Sequence, residues 1–508
     1  MRQASLFNSQ CLMKSVTAAR FTLTFLTALI LHWQTINAGD SVTAAALQIG
    51  VAETDITPPD GFPMAGYYHE RLADGSLSPL KAKAIVFEDS ETAAALVVCD
   101  LVAVNADLSR EIRGRAEEDT GIPAAHIVVS ATHSHTAPDY MKELYLFLGK
   151  DRQEPARAEY IRRLIDGPVN AIVEAKQSAA PATLHAGAVP QTTTVSFNRR
   201  FVMEDGSVRT WMKSASLGVV RAAGPIDPDI GLLTFHHPTD DTPFGILSNF
   251  ALHADTVGGT RWSADYPYFI EQSLRESFGS DLVSVFATGC CGDINHSDPD
   301  RTERNKADFI GGSLAATIST HVKELPEVTD TALIVKSETV ELPLQQVAKS
   351  EIERSVEILK LAKAGQKIDF YNHVTAYKTL ILDQILHAPA HANTVEHLTW
   401  GLSRSLAGVG AKLPADVTVM TFGSDVAIVC LPGEIFVELG LAIKQASPFK
   451  TTLIVELSNC VETIYVPHRA AYAGGSYEVT NSALQPGSGE MLVEAAVRLL
   501  RDAAGSQR

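Results

Sequence analysis

The sequence has little that would suit a nucleic-acid or membrane protein. Lys and Arg number 42 against 59 Asp and Glu, a net charge of −17, and no local basic patch offsets the excess. Such a chain repels phosphate backbones and anionic lipid heads, which excludes nucleic acid as a partner. Beyond the N-terminal region no stretch approaches the ~20 apolar residues that a spanning helix needs. Cysteine is scarce too, at six residues. Cys11 lies near the start, and Cys99, Cys290, Cys291, Cys430 and Cys460 form an odd set without zinc-ribbon spacing. Cys99 and Cys430 close apolar runs, where a small buried thiol is the expected outcome, so the core is expected not to depend on disulfides. Aromatic residues, at 7%, are scattered and form no lipid-binding stripe. There is no internal repeat, no low-complexity segment and no P-loop lysine after Gly258-Gly259. What remains is 508 residues with 45% hydrophobic and 20% charged, the profile of a globular protein with a sizeable core.

The first forty residues hold Arg2, Lys14 and Arg20 but no acidic residue before Asp40, and they run apolar from Phe21 to Leu31. That run is too short to span a bilayer and is followed by Ile36-Asn37-Ala38, a small-residue cleavage site. The pattern is that of a secretory signal peptide over 1–38, so an exported protein, periplasmic or extracellular, is expected. Length alone suits roughly three domains or a single large α/β unit over residues 39–508.

Short β-branched runs alternate with longer helical stretches, which predicts an α/β protein with a mixed-sheet core and flanking helices. Strands are expected at 83–87, 94–100, 126–130, 232–236, 244–251, 282–287, 417–422 and 426–431, with Gly423-Ser424-Asp425 as a hairpin turn. Helices are expected at 109–118, 160–176, 268–278 and 306–323, with a closing amphipathic helix over 491–502. Between about 345 and 406 strand signals vanish, and 350–360 has helical periodicity. This helical excursion suits either a lid over a site or a surface elaboration.

Four polar clusters directly follow apolar strands: Thr132-His133-Ser134-His135, Ala251-Leu252-His253, Gly289-Cys290-Cys291-Gly292-Asp293-Ile294-Asn295-His296, and Pro432-Gly433-Glu434. Ligands of α/β sheets bind outside the carboxyl ends of strands, so these clusters can converge there into one active site. In extended chain the side-chain period of two points His133 and His135 to one side. Neutral imidazole is the commonest metal ligand, and His253 with the Glu434 carboxylate would complete a zinc-tolerant set. Taken singly, His253 could be a hydrogen-bonded strand-end histidine, and Glu434 could cap the helix that follows it. Asp293, Asn295, His296 and Asp298 suit either a supporting or additional metal site or a polar loop; Asp139 and Asp255 suit either orienting carboxylates or loop residues.

At these clusters the sequence resembles the neutral/alkaline ceramidase family. The matching motifs, in the family's order, are Val51-Ala52-Glu53-Thr54-Asp55-Ile56-Thr57-Pro58-Pro59, Thr132-His133-Ser134-His135-Thr136-Ala137-Pro138, Asn198-Arg199, Asn249-Phe250-Ala251-Leu252-His253, Gly292-Asp293-Ile294-Asn295, Leu431-Pro432-Gly433-Glu434 and Tyr465 followed by Val466-Pro467. The resemblance implies a zinc-dependent amidase that cleaves an N-acyl linkage, with Zn2+ held by His133, His253, Glu434 and Tyr465. It also implies that His135 stands beside the metal as a proton-handling residue, and that Arg199, with Asn198 and His296, binds near the substrate's polar end. The family has a serine where this chain has Asn295, and it continues into a C-terminal β-sandwich domain that is not seen here after Tyr465.

The expected activity is therefore hydrolysis of a small-molecule or lipid N-acyl substrate by metal-activated water, without a serine nucleophile. Tyr465 or Arg199 would stabilise the oxyanion, His135 would carry the proton, and Asn295 would sit at the catalytic position. A metal-dependent esterase or phosphoesterase on the same centre, and a non-catalytic binding protein of the same fold, are the alternatives.

Overall fold

A computed structural model describes residues 47–393 and 403–506. The signal peptide and cleavage site expected at 1–38, and positions 394–402 of the helical excursion, lie outside the described residues. Among the described residues, the three largest sheets share one inner core. The first holds Gln48–Asp55, Lys81–Glu88, Ala93–Cys99 and Ile127–Ala131, with Ala180–Pro181 at its edge. The second holds Thr183–Pro190, Asp229–His236, Pro243–Phe250 and Val283–Thr288, and the third Leu333–Pro343, Lys412–Phe422, Val426–Cys430 and Thr451–Val455. Each is mixed, with one parallel pairing: Ala93–Cys99 on Ile127–Ala131, Pro243–Phe250 on Val283–Thr288, and Val426–Cys430 on Thr451–Val455.

The inner faces meet through aromatic side chains, one from each sheet. Phe87 packs edge-on against Phe235 at 5.7 Å and against Phe422 at 4.8 Å between ring centroids, and all three are wholly buried. Helices cover the outer faces: Ala106–Thr120 and Pro155–Ser178 on the first sheet, Tyr266–Phe278 and Ala307–His321 on the second, and Val437–Ala446 and Ser488–Ser506 on the third. Covered on both sides, Ile127–Ala131, Val283–Thr288 and Val426–Cys430 are buried at every position and are mainly apolar, with Ser130, Ser284 and Thr288 as the polar exceptions.

All eight expected strands occur, with ends shifted by a few residues; His126 lies in a short 3-10 turn and the strand ending at Phe422 starts earlier, at Lys412. The hairpin at 423–425 is present. The expected helices also occur, and the excursion contains Lys349–Lys363 and Phe370–Leu386 packed on each other. The strand Gln48–Asp55 was masked in the sequence by Gly50. A Cβ there would lie 1.8 Å from the carbonyl oxygen of Ala175, so glycine is what lets the Pro155–Ser178 helix close on the sheet. The five cysteines among the described residues are buried and free, as expected. No helix among them is long and apolar enough to cross a membrane.

Polar side chains tie the sheets together near the carboxyl ends of their strands. Asn249 donates from Nδ2 to the carbonyls of Ala287 (2.9 Å) and Ile454 (2.8 Å), joining the second sheet to the third. Ser130 donates to the carbonyl of Glu456 at 2.8 Å, and Asn459 exchanges hydrogen bonds with Val129, joining the third to the first. The four polar clusters therefore emerge side by side.

Candidate metal centre

His133 follows Ile127–Ala131, His253 follows Pro243–Phe250, and Glu434 follows Val426–Cys430. Positions some three hundred residues apart in the chain thus meet at the strand ends. Glu434 Oε2 lies 3.4 Å from His133 Nε2 and 3.3 Å from His253 Nε2, and His135 Nε2 is 3.4 Å from His133 Nε2. The three imidazoles form a group that could hold a metal ion.

The expected geometry of the His133/His135 pair needs correction. The strand ends at Ala131, and His133 has φ 66°, a left-handed conformation uncommon outside glycine. A turn, rather than the period of a strand, brings the two rings together, and their planes lie at 89°. The turn is held from outside: the Ser134 amide donates to Leu101 and its hydroxyl to the carbonyl of Ser263. A second strained residue, the β-branched Ile464 at φ 56°, directly precedes Tyr465. The Tyr465–Val466 strand pairs with Glu434–Ile435 so that Tyr465 lies beside Glu434.

The tautomer of each imidazole is fixed by a backbone carbonyl. Nδ1 donates to Val102 in His133 (2.6 Å), to Gly66 in His135 (3.1 Å) and to Cys291 in His253 (2.8 Å). In each neutral imidazole the lone pair then falls on Nε2, the arrangement that metal-ligating histidines adopt. Burial, with the neighbouring His133, lowers the pKa of His135 to about 3, and burial with the Arg199 charge lowers His253 to about 4. Burial also acts to lower His133, but Glu434 outweighs it and the pKa rises. Burial alone would raise Glu434, yet the imidazoles of His133 and His253 hold its carboxyl well below the usual range. Burial and then Glu434 push Tyr465 well above the usual phenol value.

The fit to a cation rests on Glu434 Oε2. It is buried and has no hydrogen-bond partner, a costly arrangement for a carboxylate oxygen unless a positive ion compensates it. Donors 2.0–2.1 Å from a tetrahedral zinc are separated by about 3.3–3.4 Å, which matches the spacing found here. Glu434 does not cap the helix Val437–Ala446; that role falls to Asp293, whose Oδ1 accepts from the Val437 amide at 2.9 Å.

Arg199 forms the adjoining wall. It donates from Nε to Glu478 (2.8 Å) and from Nη2 to the Tyr465 hydroxyl (3.0 Å) and the Gly292 carbonyl (2.8 Å), and its Nη1 lies 3.3 Å from His253 Nε2. Arg199 and Glu478 are both buried. A cavity of about 480 Å³ opens over this wall, lined by His135, Arg199, His253 and Tyr465 and rimmed by Trp211, Phe370 and Tyr477. Phe370 and His373, which also lines the cavity, come from the helical excursion, so that segment does reach the site.

Other expected residues stand outside this lining. Asn295 accepts from the Ser297 amide at 3.1 Å, and Asn198 donates to Asp293 Oδ2 at 2.8 Å. His296 pairs through Nδ1 with Asp255 Oδ1 at 2.9 Å, and Asp255 in turn faces the cavity. Gly292 lets its loop close on the Glu434 backbone: a Cβ on it would lie 2.6 Å from the Glu434 carbonyl oxygen. Glu478, Trp211 and Tyr477 escaped the sequence reading because they follow no apolar strand and belong to no recognisable motif. Only Phe370 and His373 carried a signal, as part of the excursion.

Residues 47–297 match the family model described as neutral/alkaline non-lysosomal ceramidase, N-terminal. Among curated proteins nothing matches. The fold is similar to the neutral ceramidase from Pseudomonas aeruginosa, with a TM-score of 0.65 and 18% identity over 91% of this chain and 75% of that one. It is likewise similar to a ceramidase complexed with C2, with a TM-score of 0.65 and 16% identity over 91% of this chain and 76% of the other.

Proposed function

Because the chain belongs, through residues 47–297, to the neutral/alkaline non-lysosomal ceramidase family, we propose that it is a zinc-dependent hydrolase that cleaves the amide bond of an N-acyl substrate after export. The observation that carries the proposal is the unpartnered Glu434 Oε2 facing the Nε2 atoms of two buried histidines. His133, His253 and Glu434, with Tyr465 beside them, would hold the ion. Zinc bound there would lower the pKa of a water to about 7 and so supply the attacking oxygen without a serine.

The remaining steps belong to the chain's own side chains. Arg199 and the Tyr465 hydroxyl, joined at 3.0 Å, form one preorganised donor group for the negative charge that develops on the acyl oxygen. His135, held neutral by burial, presents a free Nε2 that can take a proton and return it to the leaving amine. Glu478 keeps Arg199 aimed at the cavity. The aromatic rim of Trp211, Phe370 and Tyr477 excludes water and offers an apolar surface to an acyl chain. N-acyl lipids of the ceramide type are the substrate class that family membership favours.

The experiment is a panel of N-acyl amides, carboxyl esters and phosphoesters, assayed with the purified protein before and after chelation and again after zinc is returned. Amide hydrolysis should dominate, vanish with the chelator and recover with zinc. Turnover confined to esters or phosphoesters would replace the proposal, and binding without turnover of any class would leave a non-catalytic protein.

A further inference from the structure

A second group of potential ligands lies at the far end of the helix whose beginning borders the cavity. Asp383 stands in the last turn of Phe370–Leu386, His387 is the residue that ends that helix, and His391 follows four positions later. The Asp383 side chain is wholly buried, whereas His387 and His391 are 32% and 39% exposed. Both Nδ1 atoms lie 2.9 Å from the same atom, Asp383 Oδ1. The His391 amide also donates to that oxygen at 3.1 Å, while the Ala392 amide takes Oδ2 at 2.8 Å. The two rings are 4.3 Å apart and close to perpendicular.

Hydrogen bonding alone accounts poorly for this arrangement. A carboxylate oxygen has two lone pairs, and Oδ1 faces three nitrogens. The charge is also of the wrong sign for its place: a helix C-terminus carries a partial negative charge, a buried carboxylate adds to it, and no basic residue stands in the helix's last turn. A cation relieves both problems. It replaces the protons on the two Nδ1 atoms and supplies positive charge at the helix end.

The spacing also suits a metal. Two donors each 2.0–2.1 Å from an ion and 2.9 Å apart subtend about 90° there, a narrower angle, suited to higher coordination, than the near-tetrahedral spacing around Glu434. Two imidazoles and one carboxylate on the same side of an ion leave open positions, which water can fill because the rings are partly exposed. We propose that Asp383, His387 and His391 form a second site for a divalent first-row transition-metal ion, separate from the centre at Glu434. Its place on Phe370–Leu386 makes it a clamp: a bound ion ties the end of this helix to the chain that follows, and so steadies the helix that presents Phe370 and His373 to the cavity.

The test is metal uptake by the full-length protein, independent of hydrolysis. Metal-stripped protein is titrated with Zn2+ and, for its visible spectrum, with Co2+. Wild type should take up two equivalents. A His387→Asn/His391→Asn variant, whose amides can still donate to Asp383 but coordinate poorly, should take up one; Glu434→Gln should also take up one, and the three changes together none. Zinc should raise the Tm of Glu434→Gln but not of Glu434→Gln/His387→Asn/His391→Asn. A single equivalent in wild type that is unchanged by His387→Asn/His391→Asn would overturn the second site and leave a hydrogen-bonded cluster. Should that variant misfold, crystals of zinc-soaked wild type decide: an anomalous peak beside Asp383 Oδ1 supports the site, and its absence at full occupancy of the Glu434 centre overturns it.

Discussion

Replacing Arg199 by Met separates scaffolding from chemistry at the site. The guanidinium holds Glu478, Tyr465 and Gly292, and Glu478 is wholly buried. Removing one partner of a buried ion pair costs about 3–5 kcal/mol. Here the cost should fall near ~3 kcal/mol, since Glu478 keeps Arg200 at 3.3 Å and the Thr210 hydroxyl at 2.8 Å. Loss of one preorganised donor to the oxyanion raises the barrier by about 2.7–4 kcal/mol, or roughly 10²–10³-fold in kcat. Changing Glu478 to Gln as well removes the excess negative charge and keeps a group able to bond Thr210, but takes from the buried Arg200 its carboxylate partner. Arg199→Met/Glu478→Gln should therefore recover only part of the lost stability in urea unfolding while kcat on an N-acyl amide stays depressed. His253→Ala, which removes a proposed ligand, should cost far more activity than either. Recovery of activity in step with stability would show that Arg199 only supports the fold. A loss in Arg199→Met equal to that of His253→Ala, with metal retained, would refute the division of labour between metal and oxyanion donors.

Two further predictions concern the scaffold. Glu271 joins Lys81 at 2.9 Å and also pairs with Lys83 and Arg275; burial would raise its carboxyl, but Lys83 and Lys81 hold it at about 2. A depressed folded-state pKa gives stability that is complete above the ordinary carboxylate pKa of about 4.3 and is lost as pH falls toward 2. Glu271→Gln should thus cost about 3–5 kcal/mol near neutrality, and the gap from wild type should narrow through that acid window in urea unfolding; a constant gap would contradict the assignment. Gly433 has φ 73°, and a Cβ on it would lie 1.9 Å from Thr463 Oγ1, so Gly433→Ala should lose at least ~2 kcal/mol. Because it displaces Glu434, it should also weaken zinc affinity, measured by competition with a chelator. Unchanged affinity would detach this turn from the metal centre.

The inner strands were legible because strands covered on both faces are predominantly apolar, as 426–430 is throughout and 283–288 is apart from Ser284 and Thr288. Those that escaped are of another kind. Leu333–Pro343 is mostly open and rich in polar residues, with only Leu333, Val340 and Leu342 buried, and Gln48–Asp55 is interrupted by a glycine that serves helix packing. The convergence of His133, His253 and Glu434 was legible from the polar clusters at strand ends, since strand order decides where the chain emerges. The left-handed turn at His133 was not legible: non-glycine residues reach that conformation only where surrounding contacts impose it, and those contacts come from Leu101 and Ser263. Asn295 and His296 were legible only as parts of a motif, and the contacts they make, Asn295 with the Ser297 amide and His296 with Asp255, depend on the folded loop. Glu478 could not have been found from spacing, because its role depends on two arginines almost three hundred positions earlier.

Anomalous diffraction at the zinc edge, from crystals of protein purified without added chelator, examines the shared ion most directly. A peak about 2.0–2.1 Å from His133 Nε2, His253 Nε2 and a Glu434 carboxylate oxygen is the expected result. An absence of density there in protein that still hydrolyses N-acyl amides, or an ion bound by His135 with Glu434 turned away, would contradict it.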